Sequence, residues 1–464
     1  MDEMEMEELK SELLELGRSK KFASLRSKLI TLNPADIAEI FEDLVDDEEI
    51  SNDEVSVLFR LLPKDTAADS FVEMNSDLQE VIISGLSDKD LRAFIDEMYL
   101  DDAVDVIEEM PANVVSRILR NVDAETRKNI NTLLNYPEDS AGSIMTIEYV
   151  TLKPQMTVQQ AFAHIRSAGV DKETIYICYV TEQKKLVGIV SVKDLLLANY
   201  EDKIRDIMET NFIKVNTLDD KEDVANTLKK YNFTALPVVD QDERLVGIVT
   251  IDDAVDVLEE EATEDIEKMA AILPSEHEYL RSGVFEIWKQ RIPWLLLLMV
   301  SATFTGMIIT NFENALAAQV VLTAFIPMIM DTGGNSGSQA SVTIIRGLSL
   351  GDIELSDVVD VIWKEIRVAV LCGCAIAAAA FAKIMLVDRL LLGNTSISPL
   401  VALVVCLTLI ITIVLAKLVG CTLPMAAQKL GLDPAVMASP FITTIVDALS
   451  LLVYMKLATA LLGL

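Results

Sequence analysis

The sequence predicts a multidomain chain: an α-helical solenoid N-domain, a tandem α+β pair, a connecting helix and a five-helix transmembrane domain. Three observations lead there. With 464 residues the chain has room for about three domains of the usual 100 to 200 residues each. Its charge is segregated: residues 281–464 hold 11 acidic and 11 basic side chains, so the net charge of −34 lies wholly in residues 1–280. And the string LVGIV occurs twice, at Leu186 and Leu245, 59 residues apart.

Residues 1–137 carry short segments of helical apolar periodicity: Asp36–Leu44 (DIAEIFEDL), Thr66–Met74 (TAADSFVEM) and Asp102–Met110 (DAVDVIEEM), at offsets of 30 and 36. That is the pattern of a small solenoid of stacked helices. The opening MDEMEMEELKSELLEL has neither the cationic nor the apolar region of a signal peptide, so the N-terminus is expected in the cytosol.

Two repeats follow, over 138–200 and 201–261, each reading as strand, helix, strand, strand, helix. Ile144-Met145 matches Ile207-Met208 at an offset of 63, so the first repeat carries four extra residues, placed around Asp171–Thr174. One repeat has too little core to stand alone, and the two should pack as a pair. The strings ending in Ser191–Asp194 and Thr250–Asp253 resemble the G-h-(V/I)-(S/T)-x-x-D sign of CBS domains, where h is apolar. That resemblance implies clefts for an adenine nucleotide such as ATP, lined by Lys193, Asp194, Phe233, Pro237, Thr250 and Asp253. The alternative is a pair that serves only as a dimer scaffold.

A connecting helix is expected over 262–290. Ahead of it and into it, Asp253, Asp256, Glu260, Glu264 and Glu267 fall on one helical face, with Glu259 and Glu261 beside them. Like charges at this spacing cost a helix about 0.2 to 0.5 kcal/mol per pair. Such a stripe can approach acidic residues of the helical segment, such as Asp88, Asp90, Asp101 and Asp105, only if a divalent cation neutralises both.

Residues 291–464 form the membrane domain. Ile292–Phe312 has no charge, and about 20 apolar residues cross a hydrocarbon layer. Only Asp331 is charged between Glu313 and Arg346, Val368–Ala382 and Leu390–Ala416 are uncharged, and Pro434–Leu464 holds only Asp447 and Lys456. Five spans are expected, at about 292–312, 315–345, 366–387, 397–420 and 434–463. Lys289, Arg291, Arg346, Lys364, Arg367, Lys417 and Lys429 then share one side, against Lys383, Arg389 and Lys456 on the other. This distribution predicts a multi-pass cell-membrane protein with its N-terminus cytoplasmic and its C-terminus outside.

A charge inside a bilayer is expensive, which makes Asp331 and Asp447 candidates for function. Asp447 shares a polar stripe with Pro440, Thr443, Thr444 and Ser450. Asp331 opens DTGGNSGSQ, read as a glycine-rich break that either presents backbone to a pore or lets helices pack closely. No Lys or Arg lies within two helical turns of either aspartate, so the cavity should favour cations.

Other chemistries lack support. His164 and His277 have no further His or Cys at ligand spacing, and the five cysteines form no CxxC pair, so neither a zinc site nor a disulfide framework is implied. The acidic half offers no basic face to a phosphate backbone, which argues against nucleic acid. No nucleophile with a base, and no phosphate loop, speaks for an enzyme.

The whole arrangement, with GGNSGSQ at Gly333–Gln339 and DPAVMASPFITTIVD at Asp433–Asp447, resembles the MgtE family of magnesium channels over essentially the full chain. The resemblance implies a homodimer in the lipid bilayer, with a Mg²⁺ pore between two membrane domains that shuts when cytosolic Mg²⁺ binds between the helical and CBS domains. It carries the pore carboxylate onto Asp447 and the flanking pore positions onto Gly334, Asn335, Ser439, Pro440 and Thr443. Some members have Asn at the position of Ser439 and Gly at that of Asp331. A secondary divalent-cation transporter and a non-transporting CBS membrane sensor are the alternatives; a uniformly apolar last span would have favoured the sensor.

Overall fold

The structure, a computed structural model, describes residues 3–47, 49–170, 172–274, 279, 282–394, 396–437 and 439–463, with the backbone alone for Glu3, Glu5 and Ser439. Asp171, His277 and the side chain of Ser439, all named above, lie outside the described residues. The chain divides into two compact units, Met1–Glu259 and Glu260–Leu464.

The first unit opens with α1 (Glu3–Arg18), α2 (Phe22–Leu29), α3 (Pro34–Asp46), α4 (Asn52–Phe59), α5 (Lys64–Val72), α6 (Ser76–Gly85), α7 (Asp88–Ile95), α8 (Leu100–Glu109), α9 (Ala112–Asn121) and α10 (Ala124–Leu133). Helices this short are marginal in isolation, so caps and packing hold them. Ser51 and Glu54 form a reciprocal capping box on α4, and Asn75, Ser87 and Asp123 cap α6, α7 and α10. Each helix buries an apolar face, as α3 does with Ile37, Ile40, Phe41 and Leu44. The Phe94 ring meets those of Phe59 and Phe71 edge-on, at 5.5 and 4.9 Å between centroids.

The repeats follow as β1 (Thr151–Leu152), α11 (Val158–Ala168), β2 (Ile177–Glu182), β3 (Lys185–Ser191), α12 (Val192–Leu197) and α13 (Ile204–Ile207), then β4 (Val215–Asn216), α14 (Lys221–Tyr231), β5 (Ala235–Val239), β6 (Leu245–Thr250) and α15 (Ile251–Met269). Both sheets have the same plan: a short strand parallel to the middle one, which pairs antiparallel with the third. Tyr179, Leu186, Ala235, Val239, Leu245 and Ile248 form a buried cluster shared by the two repeats. The core of the second repeat is also continuous with that of the helical segment.

The two sequence signatures of the repeats explain each other. A side chain at Gly188 would lie 2.8 Å from Met208 Sδ, and one at Gly247 would lie 2.5 Å from Met145 Sδ. The glycine of each LVGIV string therefore admits the methionine of an Ile-Met pair.

The second unit contains α16 (Val284–Asn311), α17 (Glu313–Ala318), α18 (Ile326–Ser349), α19 (Val358–Lys383), α20 (Pro399–Lys429) and α21 (Ser439–Leu462). Among the described residues, four of the expected five spans are long and apolar enough to cross a membrane: Val284–Asn311, Leu355–Leu391, Pro399–Lys429 and Pro434–Leu462. This is the composition of a multi-pass membrane protein. The expected span over 315–345 is corrected only in its bounds. That stretch splits into α17, a 3-10 segment at Val320–Phe325, and α18, whose polar DTGGNSGSQ lowers its apolar character. The glycine-rich break is corrected as well, because α18 is one continuous helix through Gly333, Gly334 and Gly337. Instead of opening the backbone, these glycines admit neighbours: side chains there would come within 2.7 Å of Thr412, 3.1 Å of Thr443 and 3.0 Å of Ile442 respectively.

The connecting helix does not run from 262 to 290. It is the end of α15, which stops at Met269; Ala271 adopts a left-handed φ of 55°, and Ile272 N–H donates to Glu267 O at 2.9 Å. That is a Schellman closure with Leu273-Pro274 just beyond it, where the residue before proline disfavours helix. Lys417, placed above among the cytoplasmic flanks, is buried and holds Glu365 of α19 at 3.3 Å.

Candidate metal and nucleotide sites

The first site is built on α8 and the start of α15. α8 turns Leu100, Val104 and Ile107 into the core, which sets Asp101, Asp102 and Asp105 together on an edge of the helix. Asp101 is only 6 % exposed, and Asp102 N–H donates to its carboxylate at 3.2 Å. At α15, Thr250 Oγ1 donates to Asp253 Oδ2 at 2.5 Å, fixing the carboxylate over the first turn. Burial raises Asp101, Asp102 and Asp253 to about 7, and Asp105 and Glu173 to about 8. After burial, the neighbouring charges that act most strongly on these five are all carboxylates, among them Asp252 and Glu148. Carboxylates are hard oxygen donors, and a cluster of them suits Mg²⁺ or Ca²⁺. Yet among the described residues no three acidic, histidine or cysteine side chains converge as ligands.

Of the residues singled out from the sequence, Asp101, Asp105 and Asp253 meet here. Asp88 instead pairs with Arg117 at 2.9 Å, and Asp90 accepts from Ser87 Oγ at 2.7 Å within the cap of α7. Asp256 and Glu259 are exposed further along α15. Glu260, Glu261 and Glu264 belong to the second unit, where Glu264 pairs with Lys268 at 2.6 Å. Sequence reasoning missed Asp102, Asp252, Glu148 and Glu173. The signal for Glu173 was the four-residue insertion itself, which lies between α11 and β2 and carries this carboxylate to the cluster.

The second site lies chiefly on the first repeat, where Tyr176, Ile177, Ser191, Val192, Lys193, Leu196 and Leu197, with Thr234 of the second repeat, line a cavity of ≈ 590 Å³. Lys193 is the one residue expected in a nucleotide cleft that lines it. Ser191 and Asp194 bond reciprocally as a capping box on α12, matching Thr250 and Asp253 on α15, so the S/T-x-x-D string is first a helix start. Pro237 is buried in β5 opposite Ile248, and Phe233 stacks on Tyr231 at 5.5 Å.

In the membrane unit, Asp447 on α21 is half-buried. Its Oδ1 lies 3.8 Å from where a side chain at Gly334 would begin, with Thr443 closer still. Thr443 and Thr444 hydroxyls both donate to Pro440 O at 2.9 Å, which leaves their oxygen lone pairs available as acceptors. Asp331 lies near enough for its charge to act on Asp447. With Asn335 and Gln339, at four-residue steps along α18, it forms an exposed polar face.

At the end of α15, Ser349 Oγ donates to Asp265 Oδ2 at 3.1 Å, and Lys268 Nζ pairs with Asp433 Oδ2 at 2.7 Å. Ser349 is the last residue of α18, and Asp433 caps the turn that leads into α21 through Ala435 N–H at 2.7 Å.

Comparison with known proteins places these elements in a recognised order. The model of the MgtE intracellular N domain matches residues 32–139, the CBS domain matches 141–201 and 204–260, and the MgtE divalent cation transporter matches 326–457. The magnesium transporter MgtE of Thermus thermophilus is 35 % identical over 95 % of both chains, and that of Bacillus subtilis is 33 % identical over 98 % of both. A crystal structure of the cytosolic domain of the Mg²⁺ channel MgtE in complex with ATP is 35 % identical with a TM-score of 0.50, covering 53 % of this chain and 99 % of that one. The soluble part of a magnesium transporter gives 31 % and 0.51, over 55 % and 99 %. Matched from the helical segment to the last membrane helix, the chain belongs to the MgtE family of divalent cation transporters.

Proposed function

We propose that two copies of this chain form a magnesium channel, with α18 and α21 of each lining the pore and cytosolic Mg²⁺ at the acidic cluster closing it. The observation that carries this reading is the exposed polar face of α18, Asp331, Asn335 and Gln339, beside Asp447. Lipid tails cannot satisfy these groups, whereas a second copy across a two-fold axis can face them over water. Two Asp447 carboxylates then attract a divalent ion, and the threonine oxygens accept from its water shell. Mg²⁺ sheds water reluctantly, so a few carboxylates with retained waters suit it better than a full cage. The relatives named as magnesium transporters support this cargo, and the family makes the chain a transporter, not an enzyme.

Gating follows from the acidic cluster. Ionised, Asp101, Asp102, Asp105, Glu173 and Asp253 repel one another; Mg²⁺ neutralises them and draws α8 and α15 together. α15 carries the change to the pore helices through Asp265–Ser349 and Lys268–Asp433. The ATP-bound relative supports a nucleotide at the Tyr176–Lys193 cavity, with Lys193 meeting phosphate.

The test is Mg²⁺ flux or current from purified protein in liposomes, with Mg²⁺ varied on the cytosolic side. Flux should fall as cytosolic Mg²⁺ rises, and deletion of residues 1–130 should blunt that fall. Flux that requires a sodium or proton gradient would replace the channel with a coupled transporter. No flux under any gradient would leave the CBS sensor.

A further inference from the structure

α19 packs chiefly against α20, through Val361, Ala369, Gly373 and Ala377. Its other side is open: Val359, Trp363, Val370 and Leu371 are all exposed, Trp363 by 58 %. From Val368 to Ala382 there is no charge, a rise of about 22 Å at 1.5 Å per residue, so this open side meets lipid tails. Arg367 is the first charge at one end of that run and therefore sits where hydrocarbon gives way to headgroups.

The charges at that end are sorted by direction. Glu365 turns inward to Lys417 at 3.3 Å, both side chains largely buried. Lys364 and Arg367 stay on the open side and make no ion pair among the described residues. The Arg367 guanidinium lies 5.7 Å from the Trp363 ring centre, and its Nε donates to Trp363 O at 3.3 Å. That leaves the terminal nitrogens of Arg367 and the Lys364 ammonium to an outside acceptor. Asp360 is exposed one turn further from the membrane, so the face as a whole keeps one net positive charge.

We propose that Trp363, Lys364 and Arg367 bind the phosphate of a phospholipid headgroup, with preference for an anionic lipid. Arg367 and Lys364 donate to the phosphate oxygens, the indole lies at the glycerol level, and an acyl chain runs along Val370 and Leu371. Arginine suits phosphate by its planar set of donors, and tryptophan suits an environment with one apolar and one wet side.

The sequence has three tryptophans, so Trp288→Phe with Trp294→Phe leaves Trp363 as the only indole. This full-length variant is placed in phosphatidylcholine vesicles containing brominated phosphatidylglycerol or brominated phosphatidylcholine. Trp363 should be half-quenched at an about five-fold lower fraction of the brominated phosphatidylglycerol. Lys364→Gln with Arg367→Gln should remove that difference and leave quenching by brominated phosphatidylcholine unchanged. As a second reading, phosphatidylglycerol should raise the melting temperature of the unaltered protein in detergent, and not that of the double glutamine variant. Equal quenching by the two lipids would overturn the preference, and competition by soluble glycerol phosphate would overturn the lipid as its source. No quenching by either would overturn the site altogether, with a second copy of this chain covering Trp363.

Discussion

In the proposed pore a single carboxylate, Asp447, sets how strongly a cation is drawn in. Two unit negative charges attract a divalent ion by several kcal/mol even at an effective dielectric near roughly 20. Asp447→Asn keeps the shape beside Gly334 and Thr443 but removes that attraction, so Mg²⁺ flux in liposomes should fall about tenfold or more while the protein elutes unchanged on gel filtration. Asp331→Asn, on the exposed face of α18, should lower flux less; wild-type flux in Asp447→Asn would move the pore site away from α21. The acidic cluster yields a pH dependence. Asp101, Asp102, Asp105, Glu173 and Asp253 have folded values of about 7 to 8 against about 4 in an unfolded chain. The folded state therefore binds more protons across this window, and stability falls as pH rises from about 4 through 8. Without divalent ions, thermal stability should drop between pH 5 and pH 8. Millimolar Mg²⁺ should restore it at pH 8 and do little at pH 5, because protons and metal compete for the same oxygens. Mg²⁺ affinity that does not change with pH would exclude these carboxylates as the sensor.

The helices of the membrane unit meet through small residues, and the closest approach is between α18 and α20. A side chain at Gly420 would lie 2.3 Å from Gly337 O and 3.1 Å from Ala340 Cβ. Backbone cannot move aside as a flexible side chain can, so Gly420→Ala should cost about 1 to 3 kcal/mol and lower the melting temperature in detergent. Gly306 on α16 has no atom within 4 Å of the same construction, and Gly306→Ala should be neutral or slightly stabilising. Equal effects at both positions would mean that α18 and α20 are not in this contact. The same elements show what a polar motif can do in a helix. DTGGNSGSQ does not break α18: its glycines face α20 and α21, while Asp331, Asn335 and Gln339 face outward.

Across the whole molecule, α15 is the helix that begins at Asp252 and Asp253 and whose last turns bond to Ser349 and Asp433. Asp265 holds the last residue of α18 and Lys268 holds the cap before α21, so two bonds tie one helix end to both. Asp265→Asn combined with Lys268→Gln should leave maximal flux at low cytosolic Mg²⁺ unchanged and shift half-inhibition to at least about tenfold higher Mg²⁺, the equivalent of about 1.4 kcal/mol lost in coupling. If inhibition is unchanged, the closing force reaches the pore by another route.

Much of this was legible in the sequence because it rests on periodicity and local chemistry. The LVGIV repeat predicts the strand–helix–strand–strand–helix order, four of the five expected spans coincide with long apolar helices, and Asp447 stands out as a carboxylate in an apolar helix. Tertiary structure decided the rest, since burial and distant approach have no local signature. Only packing shows that Glu173, from the insertion after α11, joins carboxylates of α8 and α15, that Asp88 is drawn off by Arg117, and that Lys417 turns inward to Glu365. The end of α15 at Met269 was missed, because the expected connecting helix ran on through Pro274. Which groups its last turn would hold depended on where the ends of α18 and the start of α21 come to lie, and that is set by how glycines let α18, α20 and α21 pack.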